Sequence, residues 1–241
     1  MGSFEPRAEV TQLTVGISRG ISSGGISDAG VVAFCDFNGT IVDRDMLEYL
    51  ASTTESAAQS VPLQLERGYR ADIARRARAL TYDRDEAELR IEQGIHFDHS
   101  FRAFADACKS AAVPLLVLTS GIEDLVRRYL ARRGIDLPVF GNAAEYRSDG
   151  WRVQFRDDSV AGIDKRGFVH AAHSGDLRAI VIGDDRSDFE AALASDLTYA
   201  KTGSELERFL ASQNRAFRPF QHFSEILDRW PPSTWPPKGV I

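Results

Sequence analysis

The sequence predicts an α/β fold, a doubly wound and mostly parallel Rossmann-like sheet with a small all-helical cap inserted after its first strand. Short, largely apolar runs, long enough for strands buried on both faces, occur at 31–35, 114–119 and 178–183. Helical patterns separate the later runs, as parallel strands require. Residues 45–109 show helical spacing and no strand-like run, which indicates an inserted helical domain.

Composition narrows the class of protein. The chain has 241 residues, of which 43% are hydrophobic and 27% are charged, and its net charge is −6. These values are typical of a soluble globular protein, and the negative charge argues against a nucleic-acid or membrane partner. The two cysteines, Cys35 and Cys108, form no zinc-type or disulfide pattern. We therefore expect a cytoplasmic protein, either a monomer or a homodimer.

The predicted domains follow from these patterns. A Gly- and Ser-rich segment, residues 1–29, is predicted to be a flexible N-terminal arm. Residues 30–44 and 110–229 form the predicted core, and residues 45–109 form the cap. The Pro-rich residues 230–241 cannot continue a helix and are predicted to be a surface tail.

The predicted cap contains two helical patterns. Leu63, Tyr69, Ile73, Ala77 and Leu80 recur at roughly helical spacing. The second pattern follows an expected N-cap at Asp98 and places its apolar residues at i, i+3, i+4 and i+7, namely Phe101, Phe104, Ala105 and Cys108.

The predicted core continues after the cap. The strand at 114–119 is followed by a helix at 122–133, with Gly134 as its C′ residue. A short strand begins at 139–140 and precedes a hairpin of 144–146 with 151–155, whose turn contains Ser148-Asp149-Gly150. A helix starts near Lys165 and leads to the strand at 178–183. The last predicted elements are strands at 197–200 and 216–217 and helices at 204–212 and 224–229.

Polar residues at the ends of the predicted strands indicate a reactive site. Asp36 ends the first strand, Thr119 the second, and Asp184 and Asp188 follow the third, while Lys165 precedes that strand. Ligands bind at the carboxyl ends of parallel strands, so we expect these side chains to converge. Clustered carboxylates need a cation, and oxygen ligands suit Mg²⁺. A hydroxyl and an ammonium beside Mg²⁺ would receive a phosphoryl group.

The same residues carry a family resemblance over about 31–229. The segment DFNGT, the TSG after the second strand, an isolated lysine and GDDRSD resemble the four motifs of the haloacid dehalogenase (HAD) superfamily. The helical insertion is similar to the cap of the phosphoserine phosphatase-like branch. The segments GTIVDRD and PFQHFSEILDRW further resemble methylthio-ketopentenyl phosphate phosphatases. The resemblance implies a Mg²⁺-dependent phosphatase that hydrolyses a small-metabolite phosphate monoester through an aspartyl-phosphate.

The resemblance also implies roles for individual residues. Asp36 would be the nucleophile, and Thr119 and Lys165 would hold phosphate oxygens. Mg²⁺ would be held by the Asp36 carboxylate, the backbone carbonyl of Asn38 and Asp184. Asp188 would be a further ligand through water, or would orient the ligands. The residues expected to contact substrate are Gly39, Thr40, Asp43, Asp45, Ser120 and Gly121.

Asn38 departs from the family pattern, which has an aspartate that protonates the leaving group. An amide cannot transfer a proton near neutral pH. Three explanations remain open. The chain is an engineered trapping variant, or a natural enzyme that uses a good leaving group or another acid such as Asp43 or Asp45, or a catalytically weak phosphometabolite-binding protein. A phosphotransferase or mutase of the same superfamily is a further alternative.

The cap also offers candidate substrate contacts. Its arginines could bind an anionic leaving group, although most are expected to be solvated. They are Arg67, Arg70, Arg75, Arg76 and Arg78. Asp43 and Asp45 are alternatively solvated or cap the next helix.

Overall fold

The computed structural model describes residues 30–54 and 68–234, and its central element is a seven-stranded sheet in the order β4-β3-β2-β1-β5-β6-β7. The strands are β1 (Val31–Cys35), β2 (Leu115–Ile122), β3 (Val139–Glu145), β4 (Arg152–Gln154), β5 (Arg178–Gly183), β6 (Leu197–Lys201) and β7 (Arg218–Phe220). The predicted arm at 1–29, the end of the tail beyond 234, and Leu63 and Arg67 lie outside the described residues.

The register is parallel around β1. This strand pairs in parallel with β2 and β5, so that Cys35 faces Val117 on one side and Ile182 on the other. The strands β5, β6 and β7 continue in parallel, whereas β3 and β4 form an antiparallel hairpin. All five residues of β1 are buried, as its uninterrupted apolar run requires. The predicted fold class is confirmed.

Nine α-helices occur in the described ranges. They are α1 (Met46–Ser52), α2 (Tyr69–Arg78), α3 (Arg84–Gly94), α4 (Ser100–Ser110), α5 (Glu123–Arg132), α6 (Lys165–Ser174), α7 (Phe189–Ala194), α8 (Glu205–Ser212) and α9 (Phe223–Leu227). A 3₁₀ turn, Arg186–Asp188, precedes α7. Within these ranges, none of the helices has both the length and the apolar character needed to cross a membrane.

The chain divides into two compact units. Within the described residues, the first unit contains residues 30–36, 98–117 and 164–234. Its helix α4 packs against α9, where Phe101 and Phe223 meet with ring centroids 4.9 Å apart. The helices α6 and α7 also pack together in this unit.

The second unit contains Phe37–Phe97 and Leu118–Ile163. Its helix α1 packs against α2 and α3, and α2 also packs against β4. Trp151 is fully buried here, and its indole Nε1 donates to the backbone carbonyl of Tyr82 over 2.8 Å. The boundaries predicted for arm, core, cap and tail stay predictions.

Several local predictions are corrected. The strand expected to begin at 139–140 and the strand expected at 144–146 are one strand, β3. The strand expected at 216–217 lies at 218–220 instead, as β7, which tolerates Pro219 because it lies at the sheet edge. Asp98 is not the N-cap residue of α4, which is His99. Instead, its carboxylate accepts hydrogen bonds from the backbone N–H groups of Ser100 and Phe223. The last helix begins one residue earlier and ends two residues earlier than predicted.

Candidate active site

Four predicted site residues come together in the first unit. We call these four residues the acidic cluster: Asp36, Lys165, Asp184 and Asp188. One carboxylate oxygen from each aspartate lies within 4.8 Å of those of the other two. Asp36 directly follows β1, and its N–H donates to the carbonyl of Ile182 over 2.8 Å. The end of β1 is therefore fixed against β5, and the Asp36 side chain is only 4% exposed.

Lys165 joins these carboxylates. It is the first residue of α6, whose N-cap Asp164 accepts from the backbone N–H of Gly167. The Lys165 Nζ lies 2.5 Å from Asp36 Oδ1 and 2.7 Å from Asp188 Oδ1. It also donates to the hydroxyl of Ser187 over 2.9 Å. The prediction that Lys165 meets the aspartates is confirmed, and a solvated lysine is excluded because its side chain is buried.

Asp188 is held in place by backbone amides as well as by Lys165. Its Oδ2 accepts from the N–H groups of Asp184 and Asp185 at 3.1 and 3.4 Å. Gly183 makes room for this carboxylate, because a Cβ at position 183 would lie 2.3 Å from Asp188 Oδ2. The Asp188 carboxylate therefore holds the loop that carries Asp184 in place.

The charges of the acidic cluster are unbalanced. Burial raises the pKa of the Asp36 carboxyl well above its ordinary value, with Lys165 opposing the shift and Asp188 adding to it. Burial also raises the pKa of Asp188, again against the effect of Lys165. Burial alone would lower the pKa of Lys165, but the Asp188 and Asp36 carboxylates outweigh it and raise that pKa.

The excess of negative charge in the acidic cluster shows whether its residues fit a metal ion. One ammonium offsets only one of three neighbouring carboxylates, and buried carboxylates are costly without a further cation. The ligand atoms are all oxygens, which suits Mg²⁺. The acidic cluster therefore fits the divalent cation that the sequence predicts.

A second group of predicted residues comes together in the second unit. We call this group the amide cluster: Asn38, Thr119, Ser120 and Gly121. Thr119 is fully buried in β2, and its Oγ1 accepts from the N–H of Gly121 over 3.0 Å. A Cβ at position 121 would lie 3.0 Å from Asn38 Nδ2 and 3.2 Å from Thr119 Oγ1. Glycine at 121 therefore allows the backbone to approach both side chains.

The Asn38 side chain is held by the start of α1. Its Nδ2 donates to Asp45 Oδ2 over 3.0 Å, and its Oδ1 accepts from the N–H of Met46 over 3.3 Å. Asp45 is the N-cap of α1 and accepts from the N–H of Glu48. The capping role considered for Asp45 is thus confirmed. Between these residues, Gly39 takes a φ of +80°, which a tight turn favours in glycine.

The remaining predicted residues lie in other surroundings. Thr40 is buried. Asp43 accepts from the N–H of His96 over 2.9 Å and pairs with Arg44. Among the described arginines of the predicted cap, Arg76 pairs with Asp72, Asp45 and Glu48, and Arg75 pairs with Asp72.

Comparison with known proteins is consistent with this arrangement. A family model described as haloacid dehalogenase-like hydrolase matches residues 33–193, from β1 through α7. The chain belongs to this family. The predicted membership of the haloacid dehalogenase superfamily is therefore confirmed, and with it the prediction of a hydrolase.

Curated relatives of this haloacid dehalogenase-like hydrolase cover most of its length. Pdp3-interacting factor 1 of Schizosaccharomyces pombe is 27% identical over 80% of this chain and 91% of its own length. The polyol phosphate phosphatase PYP1 of Saccharomyces cerevisiae is 25% identical over 81% and 90%. A 2-hydroxy-3-keto-5-methylthiopentenyl-1-phosphate phosphatase of Exiguobacterium sibiricum is 23% identical over 80% and 93%.

Solved structures agree on the fold. A phosphoserine phosphatase, solved as a phospho-aspartyl intermediate analogue, superposes with a TM-score of 0.63 over 83% of this hydrolase and 99% of its own chain, at 14% identity. A substrate-bound phosphoserine phosphatase gives a TM-score of 0.62 over 84% and 99%, at 12% identity. At these identities the likeness shows the fold alone.

Sequence reasoning missed four residues that support the two clusters of this hydrolase. Ser187 accepts from Lys165, and Tyr69 Oη lies 3.3 Å from Ser120 Oγ. A Cβ at Gly141 would lie 2.7 Å from Thr119 Cγ2. Asn142 is fully buried, and its Nδ2 donates to the carbonyls of Ser120 and Ala161. A Gly-Asn pair next to an apolar run was the available signal for the last two.

Proposed function

We propose that this hydrolase removes phosphate from a phosphate monoester of a small polar metabolite, using Asp36 as the nucleophile and Mg²⁺ as the cofactor. The observation that carries the proposal is the acidic cluster, in which a buried aspartate lies 2.5 Å from a buried lysine and beside two further carboxylates. Two relatives, a polyol phosphate phosphatase and a 2-hydroxy-3-keto-5-methylthiopentenyl-1-phosphate phosphatase, support this substrate class.

In the first proposed step, a carboxylate oxygen of Asp36 attacks phosphorus and the bond to the ester oxygen breaks. The electron pair of that bond leaves with the alcohol oxygen, and Asp36 becomes an aspartyl-phosphate. The Lys165 ammonium offsets the negative charge that gathers on the phosphoryl oxygens. Water then attacks phosphorus, releases inorganic phosphate and restores the carboxylate.

The metal and substrate roles are further parts of the proposal. Asp36, Asp184 and the backbone carbonyl of Asn38 would hold Mg²⁺, which would supply positive charge for the phosphoryl group. Asp188 would orient this set through the amides that it binds. Thr119 would hold a phosphate oxygen. The residues assigned to substrate contacts are Gly39, Thr40, Asp43, Asp45, Ser120 and Gly121.

The proposal includes the cellular setting of the enzyme. We place the enzyme in the cytoplasm, as a monomer or homodimer, with a small phosphorylated metabolite as its partner. Both cysteines, Cys35 and Cys108, are buried free thiols, which agrees with a reducing compartment.

A screen for phosphate release from metabolite phosphates tests the proposal. We expect release that depends on Mg²⁺ and stops when a chelator is added. Asp36→Asn is expected to lower kcat by at least about 10³-fold, because the nucleophile is lost. The matched control is Asp106→Asn, which changes an exposed aspartate of α4. Equal rates for the two variants would show that Asp36 is not the nucleophile.

Asn38 favours one competing function, a phosphotransferase. If water attacks the aspartyl-phosphate slowly for want of a general base, a second alcohol can take the phosphoryl group instead. Adding acceptor alcohols to the screen separates the two functions. A phosphorylated acceptor formed in preference to inorganic phosphate would identify the transferase.

A further inference from the structure

The side chain at position 38 is matched to its neighbours. Asn38 Nδ2 faces the carboxylate of Asp45, and Asn38 Oδ1 faces the N–H of Met46. Both ends of the amide therefore have the partner that its chemistry requires, which also fixes which end carries the nitrogen. An aspartate at 38 would instead place a carboxylate about 3 Å from Asp45, and like charges at that separation repel.

Both carboxylate oxygens of Asp45 accept hydrogen bonds. Its Oδ1 accepts from the Glu48 N–H over 2.6 Å, as the N-cap of α1, and lies 3.4 Å from Arg76 Nη1. Its Oδ2 accepts from Asn38. Positions 38 and 45 thus form an amide donor and a carboxylate acceptor, built into the start of one helix.

This pairing bears on the reaction, because position 38 is where the family places the acid that protonates the leaving oxygen. The Asn38 amide has no proton that it can transfer near neutral pH. The geometry points to a substrate class: we infer that this hydrolase acts on compounds whose phosphate-bearing oxygen leaves as a stabilised anion. These are phosphate esters that release an enolate or a phenolate, and acyl phosphates, which are anhydrides and release a carboxylate. The inference rests on the proposed function.

The chemistry balances without a proton donor. Asp36 attacks phosphorus, the ester P–O bond breaks, and its electron pair stays on the leaving oxygen, which departs as the anion. Water then adds to phosphorus, the bond from phosphorus to the Asp36 oxygen breaks, and both protons of the water end on inorganic phosphate, as H₂PO₄⁻. An alkoxide would need protonation as it leaves, and general acid catalysis is worth about 10²–10⁴-fold in rate.

The test compares kcat/KM for aryl and alkyl phosphates in the presence of Mg²⁺, since this constant reports steps up to P–O cleavage. For the wild type we expect 4-nitrophenyl phosphate to exceed phenyl phosphate, and phenyl phosphate to exceed an alkyl phosphate, with a total span of at least about 10²-fold. Phosphoenolpyruvate and acetyl phosphate test the enolate and carboxylate sources separately. A wild type that cleaves alkyl and aryl phosphates equally well would overturn the inference.

The decisive variant exchanges the two groups, Asn38→Asp with Asp45→Asn. This keeps one amide facing one carboxylate and returns an acid to position 38. The ratio of kcat/KM between 4-nitrophenyl phosphate and the alkyl phosphate should therefore fall to less than about 10-fold. Asn38→Asp alone should recover less of the kcat/KM for the alkyl phosphate, because it places two carboxylates, at positions 38 and 45, next to each other. A span that stays unchanged in the double variant would contradict the inference.

A second readout does not depend on activity. In the absence of Mg²⁺, Asn38→Asp should lower the thermal midpoint of unfolding, and the added Asp45→Asn should restore most of the loss. Asp83→Asn is the matched control, since Asp83 is the N-cap of α3 and accepts from the Glu86 N–H. No loss in Asn38→Asp would contradict the matched pair.

The outcomes also separate this inference from the proposed function. If the wild type hydrolyses neither aryl nor alkyl phosphates, the proposed function fails and the inference fails with it. If the wild type hydrolyses both equally and Asp36→Asn abolishes both, the function stands and only the inferred substrate class is wrong.

Discussion

The acidic cluster and the amide cluster differ in the interactions that hold their side chains. The acidic cluster is a set of buried charges, in which Lys165 contacts Asp36 and Asp188 at 2.5 and 2.7 Å. Ser120 of the amide cluster is held by neutral hydrogen bonds, which the fully buried Asn142 gives to the carbonyls of Ser120 and Ala161. The acidic cluster should respond strongly to a bound cation, whereas the hydrogen bonds made by Asn142 should not.

The largest effect is expected from Lys165→Met, which removes the ammonium from the acidic cluster. The carboxylates lose their charge partner, and breaking a buried ion pair typically costs about 3–5 kcal/mol of unfolding free energy. We also expect kcat to fall by about 10²–10³-fold, as when one group that stabilises transition-state charge is lost. Urea unfolding and steady-state kinetics measure the two losses.

Mg²⁺ sharpens this result, because a divalent cation can replace the missing positive charge. The ion should raise the stability of Lys165→Met more than that of the wild type. Arg166→Met, which removes the exposed cation next along the chain, is the control. Losses of the same size in both variants would contradict an acidic cluster held by buried charge.

A smaller effect is expected from Asn142→Ala, which removes the side chain that binds the Ser120 carbonyl of the amide cluster. The change leaves two carbonyls and the N–H of Arg156 without their hydrogen-bond partner, since Asn142 Oδ1 accepts from that N–H over 3.1 Å. Each buried unsatisfied group costs about 1–3 kcal/mol, and we expect a total loss of about 2–4 kcal/mol in urea unfolding.

Two further variants make the Asn142 result specific. Asn142→Asp keeps the shape and the acceptor but loses the donor, so it should be at least as damaging as Asn142→Ala. Gln93→Ala, which removes an exposed amide from α3, should change little. Because the contacts are neutral, the loss should be the same with and without Mg²⁺. If Mg²⁺ restored the stability lost in Asn142→Ala, the expected difference in the response to Mg²⁺ would be wrong.

The acidic cluster could be predicted from sequence because its parts follow strong local signals. Asp36 and Asp184 each follow a continuous apolar run that could only be a buried strand, and β1 and β5 are such strands. The ends of parallel strands meet at one edge of a sheet, so the meeting of Asp36 with Asp184 follows from the fold class. Local pattern and topology were sufficient here.

The amide cluster could be predicted only in part, because its support is non-local. Asn142 lies inside β3, where a polar side chain argues against a buried strand, and the sequence indicated only that a strand begins at Val139 and Phe140. Its partners Ser120 and Ala161 lie 22 and 19 residues away in the chain. Likewise, the pairing of Asn38 with Asp45 depends on where α1 begins, and element boundaries are weakly encoded.

Gly183→Ala is the mildest of these changes and tests how tightly the acidic cluster is packed. The new Cβ would lie 2.3 Å from Asp188 Oδ2 and 2.5 Å from its Cγ. That carboxylate cannot move freely, because it accepts from the Asp184 N–H and from Lys165. We expect a loss of about 1–3 kcal/mol, typical of overpacking, and Mg²⁺ binding about 10-fold weaker because an orienting group is displaced.

Gly175→Ala gives the comparison within the same unit. A Cβ at position 175 would lie 3.4 Å from the carbonyl of Ala172, an ordinary contact, and the residue has a φ of −97° that alanine adopts without strain. Its stability in urea and its Mg²⁺ affinity by calorimetry should match the wild type. If Gly183→Ala behaves like Gly175→Ala, then Asp188 is free to move, and the loop that carries Asp184 is not braced by it.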